Sequence, residues 1–303
     1  MNKNEAAERA KVERFLREIF RRDKTAGLIG HKSASDIAEA VKQNTGILSP
    51  ELMRRAVLGG IEVKKDKYET SDNVVVMGCF CFGILLTVRS FCLILNRLGE
   101  DYAFLKREYC CGAPLFTQLL VDGEDVGKAD PFVLEFVGKN VSRAREQEAK
   151  NMIYFCIWCS VLGKRFFSGG DINQLFFGDF LADRLKDVKL SLKGRVGYYR
   201  GCLRQTALYL GGDPNPASSG LNWTGYRDLL NRIEGLEVVD LPDNLCCKAN
   251  RESIFKKAKR EGLDTIVCFC NDCYGQLQRS APEGMQVKFL SDILLDAMGG
   301  HSR

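Results

Sequence analysis

Histidine is nearly absent: His31 and His301 are the only two in 303 residues. Thiolates therefore dominate the soft ligands available for a metal. Excess charge of one sign is also lacking, since the formal net charge is only +5 and no run of five or six Lys and Arg occurs. Nucleic acid is not the default partner. Long apolar runs are missing as well. The longest, Val74 to Val88, has 15 residues, is interrupted by glycines and cysteines, and meets Arg89. That is too short to span a bilayer. The first residues lead into a charged helical pattern with no apolar h-region, so no secretory signal is read and a cytoplasmic location is expected. No Gly-x-Gly-x-x-Gly fingerprint is present, and Gly30-His31-Lys32-Ser33 lacks the spacing of a phosphate loop. The contiguous cysteine run of a ferredoxin module is missing too. A nucleotide or flavin would then have to reside in another subunit.

What is abundant is cysteine, with 13 in the chain. In a reducing compartment such cysteines are metal ligands or redox groups more often than structural disulfides, and the odd total argues against a closed disulfide framework. The composition, 45% hydrophobic and 27% charged, is that of a globular protein long enough for two modest domains.

Residues 1 to about 70 read as helices. Ala6 to Phe20 carries a stripe of Val12, Phe15, Leu16, Ile19 and Phe20 between charged faces. Ser33 to Val41 and Ser49 to Leu58 each begin at an N-cap candidate, and Pro50 with Gly59-Gly60 brackets the latter. From Asn73 the pattern changes to short apolar runs at Val74 to Met77, Met152 to Phe155, Val196 to Tyr199, Val238 to Leu241, Thr265 to Phe269 and Val287 to Leu290. Each suits a buried parallel strand. Helical patterns such as Gly225 to Ile233 and Arg251 to Glu261 lie between them, which predicts an α/β fold.

An internal repeat runs through this second part. One copy has a strand followed by Gly78-Cys79, then Cys110-Cys111-Gly112, a strand followed by Cys156-Ile157-Trp158-Cys159, and a trailing element with Asp179. The other has Gly201-Cys202, Cys246-Cys247-Lys248, Cys270-Asn271-Asp272-Cys273 and a trailing element with Asp292. A Cys-x-x-Cys alone fits zinc, a cluster or a redox disulfide. The adjacent pair discriminates better, because neighbouring side chains diverge and serve different irons of a polynuclear cluster more readily than two corners of one tetrahedral ion. Five thiolates per copy also exceed the four that a structural zinc takes.

Together these motifs resemble the tandem cysteine-rich CCG domains of the heterodisulfide reductase B-type family, over roughly residues 73 to 300. The resemblance implies two [4Fe-4S] clusters of noncubane type that make or break a disulfide. Carried over by position, the ligands are Cys79, Cys110, Cys111, Cys156 and Cys159 at one site, and Cys202, Cys246, Cys247, Cys270 and Cys273 at the other. It also implies iron-sulfur and flavin subunits as partners and a disulfide or thiol as substrate, as in the heterodisulfide-reductase-like complexes of sulfur oxidisers. The expected organisation is a helical segment over 1–70 and two pseudo-repeated cysteine-rich α/β domains over 71–192 and 193–303.

This chain departs from the family in three places. The interval from Cys111 to Cys156 holds 44 residues, whereas that from Cys247 to Cys270 holds 22. Lys248 stands where the first copy has Gly112, and the N-terminal segment is extra. Zinc remains an alternative at the second site, and a non-catalytic electron-transfer or docking subunit remains an alternative to a catalytic one. Cys81, Cys92 and Cys268 fall outside the two sets and read first as small buried hydrophobes. Trp158 reads either as a shield for a cluster or as packing. Asp179 and Asp292 are expected to cap helices.

Overall fold

The computed structural model describes residues 70–78, 85–105, 108–201, 223–242, 246–248 and 250–300. The N-terminal helices read from sequence, both histidines, and Cys79, Cys81 and Cys202 lie outside these residues.

The first half contains β1 (Asn73–Val76), α1 (Leu85–Leu98), β2 (Ala103–Phe104), α2 (Ala113–Asp122), a 3-10 turn at Val126–Ala129, α3 (Asp130–Glu146), β3 (Asn151–Tyr154), α4 (Ile157–Phe167), β4 (Asn173–Phe176) and α5 (Phe177–Arg184). The second contains β5 (Ser191–Tyr198), α6 (Trp223–Asn231), β6 (Glu234–Asp240), α7 (Arg251–Arg260), β7 (Thr265–Cys268), α8 (Asn271–Ser280), β8 (Gln286–Phe289) and α9 (Leu290–Ala297). All six strands anticipated from apolar runs form. The two that were missed are β2, only two residues long, and β4, whose Asn173 and Gln174 break the apolar pattern.

Each half is a four-stranded sheet in which every pairing is parallel, with orders β2-β1-β3-β4 and β6-β5-β7-β8. The second sheet thus repeats the order of the first. The unbroken apolar run of β1, all four residues buried, is what a parallel strand covered on both faces requires. The 44-residue interval is filled by α2, the 3-10 turn and α3, whereas the 22-residue interval holds only α7 before its strand. The length difference is one extra helical layer.

The halves meet through a pseudo-twofold arrangement. α1 packs on α9, and α6 packs on α5, its counterpart pair. At the centre Phe155, which follows β3, stacks 5.3 Å from Phe289, the last residue of β8. In exchange, Phe269 after β7 lies 6.2 Å from Phe176, the last residue of β4. Such reciprocal contacts are the signature of an isologous interface. Gly178 permits the close approach of α5 and α6, because a Cβ there would lie 2.9 Å from the Tyr226 ring. Among the described residues no helix is long and apolar enough to cross a membrane.

The two aspartates of the trailing elements face across this junction. Asp292 reaches back to the N–H of Phe289 at 3.2 Å, as a helix-start residue should, and Ser90 on α1 offers it a hydrogen bond. Asp179 accepts from the Tyr226 hydroxyl at 2.6 Å and pairs with Lys164 at 2.8 Å.

Burial pushes the Asp292 carboxyl up to about 6, with Asp296 adding to the rise and Lys288 opposing it. The folded chain therefore holds a proton that the unfolded chain releases between pH 4 and 6. Stability contributed by this group is present at low pH and lost as pH rises through about 6, a loss of about 3 kcal/mol. Asp292→Asn keeps an oxygen for Phe289 and should flatten that dependence. Urea midpoints at pH 5 and 7.5 check it, and an equal drop in the variant and the parent would contradict the assignment.

Candidate metal centre

In a parallel sheet of order 2-1-3-4 the crevice opens beyond the carboxyl ends of the two central strands, where the connections turn in opposite directions. The cysteines lie there. Gly78 follows β1, and Phe155-Cys156 follows β3; in the other sheet Gly201 follows β5, and Phe269-Cys270 follows β7. Cys156 and Cys270 are the N-cap residues of α4 and α8, so Cys159 and Cys273 fall in the first turns. A strand-to-helix step thus delivers each Cys-x-x-Cys with both sulfurs near a helix N-terminus, where thiolates are favoured.

The two glycines bring the neighbouring strand ends into contact with these thiols. Gly78 has φ +79°, and a Cβ on it would sit 2.7 Å from the Cβ of Cys156 and 3.2 Å from the sulfur of Cys159. Gly201 has φ +75°, and a Cβ there would sit 2.9 Å from the sulfur of Cys273. Both left-handed turns require glycine, and neither site has room for a side chain. The residues that follow, Cys79 and Cys202, lie outside the described residues.

The adjacent pairs complete the arrangement. Hydrogen bonds link Cys110 to Cys111, Cys111 to Cys159 and Cys159 to Cys156. The same chain recurs as Cys246, Cys247, Cys273 and Cys270. All eight thiols are buried, and none is in a disulfide. Sequence order places none of these contacts; the fold brings four of each predicted five together. Among the described residues no three Cys, His, Asp or Glu are arranged to hold a single metal ion. The thiols form a line of neighbours in each half.

Their acidities follow from that crowding. The hydrogen bond with Cys110, then burial, holds the Cys111 thiol well above the usual range, although Cys159 pulls it down. Cys159 is raised by its bonds to Cys111 and Cys156 and by burial. Cys247 is raised by Cys246, and Cys273 by Cys247 and Cys270. Cys156 moves down, through the Cys159 thiol and the backbone N–H groups of Cys159 and Trp158. A cation binding here must release protons from the others.

The pairs are held differently in the two halves. The N–H of Gly112 donates to the Cys110 sulfur at 3.4 Å, and Gly112 at φ +82° opens α2. The N–H of Lys248 donates to the Cys246 sulfur at the same 3.4 Å, so the local contact survives the loss of glycine. The Lys248 ammonium, 12% exposed, pairs with Asp272 at 2.7 Å. Asp272 lies inside the Cys-x-x-Cys and raises Cys247 electrostatically. The cation at the second site is thus one half of an ion pair. Asn140 on α3 secures the first pair from outside, accepting from the N–H of Tyr109 at 2.8 Å and donating to its carbonyl at 2.9 Å.

Cys92 and Cys268 are fully buried and belong to the core. Burial raises the Cys92 thiol to about 12 and drives the Cys268 thiol well up, as expected of hydrophobes. Trp158 is partly buried and packs against the core.

Two parallel α/β sheets that each present a line of buried thiols beyond their central strands define a tandem cysteine-rich protein. Residues 86–162, which contain Cys110, Cys111, Cys156 and Cys159, match the cysteine-rich CCG domain. The chain is also 24% identical over 220 residues to the B chain of fumarate reductase (CoM/CoB) from Methanothermobacter marburgensis, a match covering 66% of this chain and 39% of that protein. The resemblance drawn from the motifs is thus matched by a CCG cysteine-rich domain over residues 86–162 and by a distant likeness to that relative. The match spans well under half of that relative's length.

Two solved structures share weaker likeness. An aspartate racemase homologue from Pyrococcus horikoshii has a TM-score of 0.37 and 12% identity, covering 75% of this chain and 97% of its own. A glutamate racemase from Bacillus anthracis has a TM-score of 0.33 and 10% identity, covering 77% and 81%. At these TM-scores neither likeness bears on the activity of this chain.

Lys248→Met should leave Asp272 unpaired beside Cys247 and cost about 1–3 kcal/mol, between the values for exposed and buried pairs. Adding Asp272→Asn should recover most of the loss. A double-mutant cycle in urea measures the coupling, and additive effects would show that the pair is not formed.

Proposed function

We propose that this chain is the B-type component of a heterodisulfide-reductase-like complex, an iron-sulfur protein that carries out thiol-disulfide redox chemistry. The observation behind this reading is the repeated line of four buried thiols at equivalent strand ends, with the glycine before the fifth cysteine already touching it. Cys79, Cys110, Cys111, Cys156 and Cys159 would hold one [4Fe-4S] cluster of noncubane type, and Cys202, Cys246, Cys247, Cys270 and Cys273 the other. The donor set fits. Its eight described members are all sulfur and buried, and each set of five exceeds the four that zinc takes.

When bound, such clusters supply one-electron exchange with substrate sulfur. The chain's own residues provide the rest. The Cys-x-x-Cys thiols are fixed at helix starts, the aromatic core between the halves keeps water from the inner side, and the raised thiols surrender protons as ligands bind. A non-catalytic electron-transfer role is the second reading. It is favoured by the Lys248–Asp272 pair, which makes the second site unlike the first. A relative named as a reductase component supports partner chains that bring electrons, with iron-sulfur or flavin groups.

Cys110→Ser and Cys111→Ser should each remove or convert one cluster and leave the chain soluble. Iron and acid-labile sulfide in anaerobically purified protein should fall to roughly half of the parent, with a changed EPR spectrum. Unaltered iron and EPR in both variants would rule out the ligation. Turnover of a disulfide should likewise need a co-purifying partner, and sustained reduction by the isolated chain with a nicotinamide donor would contradict the complex.

A further inference from the structure

A carboxylate ties together two of the segments that carry the first set of thiols. Oε1 of Glu108 accepts from the N–H of Met77 at 2.8 Å, and Oε2 accepts from the N–H of Gly78 at 2.8 Å. Glu108 stands two residues before Cys110, and Met77-Gly78 stands directly before Cys79. Two successive backbone N–H groups at a left-handed glycine make a small anion-binding concavity, and here a side chain of the same protein fills it. The turn thus fixed is the one whose Cα lies against Cys156 and Cys159. Asn140 pins the backbone of Tyr109 between Glu108 and Cys110 from the other side.

We propose that Glu108 is the positioning residue of the first site. It locks the exit of β1, the strand that precedes Cys79 in the chain, to the Cys110-Cys111 segment. It also sets a carboxylate at the exit of β1, where the residue at the same offset in the second copy is Asn244. Glu108 reaches the strand end through two charge-assisted hydrogen bonds, which are stronger and more directional than neutral ones. An anion near a cluster favours the oxidised form, so Glu108 lowers the potential of the first cluster. The inference rests on the cluster reading above.

The test uses the full chain, purified anaerobically, with Glu108→Ala, Glu108→Gln and the exposed control Glu135→Gln. In Glu108→Ala the Met77 and Gly78 amides should exchange hydrogen at least tenfold faster, and the iron and EPR signal assigned to the first site through Cys110→Ser should be lost while the second remains. Glu108→Gln keeps one acceptor. It should hold its iron and raise the potential of the first cluster alone, a change that a purely structural role does not produce. The control should do neither. Full first-site iron in Glu108→Ala, or an unmoved first potential in Glu108→Gln, overturns the proposal. If Glu108→Ala fails to fold, the potential of Glu108→Gln decides. A parent chain without iron refutes the cluster reading instead. The positioning claim is then judged by amide exchange and by the alkylation rates of Cys110 and Cys111, which should rise in Glu108→Ala and would overturn it if unchanged.

Discussion

The arrangement depends on how closely a strand end can pass a helix start. At Gly78 and Gly201 the backbone turns into a left-handed conformation within van der Waals reach of a thiol, with Cβ positions at 2.7 and 2.9 Å from the nearest atoms. Any side chain there would push the strand exit away from the Cys-x-x-Cys, and the fifth cysteine with it. Parallel sheets supply the geometry for this contact, because all strands end on one side and all following helices begin there. The thiols then accumulate at one edge of each sheet, buried and mutually hydrogen-bonded, and crowding and burial hold Cys111, Cys159, Cys247 and Cys273 well above the usual thiol range.

Duplication explains why this works twice, and the differences between copies show what was free to change. The pseudo-twofold core of Phe155, Phe176, Phe269 and Phe289 is retained, because each ring packs against its counterpart's neighbour and the loss of one would open a cavity shared by both halves. The anchoring of the adjacent cysteine pair has diverged. In the first copy a left-handed glycine, Asn140 and a carboxylate hold it, whereas in the second an ion pair from Lys248 to Asp272 crosses to the Cys-x-x-Cys. Charged residues therefore stand at different places in the two copies, while the hydrogen-bonded chain of four thiols recurs in both.

Much of the fold was legible. Six strands declared themselves through short apolar runs, most plainly β1, β3 and β7, which are buried almost throughout and have few polar positions to blur the signal. The edge strands β2 and β4 did not, one being too short for any pattern and the other carrying Asn173 and Gln174. Cys92 and Cys268 were readable as core. The partners of Asp179 were not legible, because Lys164 and Tyr226 come from other elements, Tyr226 from 47 residues away. Glu108 gave no signal at all. A carboxylate two residues before a cysteine pair looks like any solvated charge until the fold sets two amide N–H groups in front of it.

Sequence alone determined the inventory: two ordered sets of five cysteines, the glycine before each first member, and parallel α/β halves in tandem. These follow from local chemistry, because residue type and spacing decide which sulfurs exist, which turns are possible and which runs form strands. Tertiary structure alone decided which thiols touch, how Lys248 is neutralised and what Glu108 holds. Those depend on segments dozens of residues apart in the chain meeting at a sheet edge, and the energies involved, desolvation and directed hydrogen bonds, exist only once that edge is closed to water.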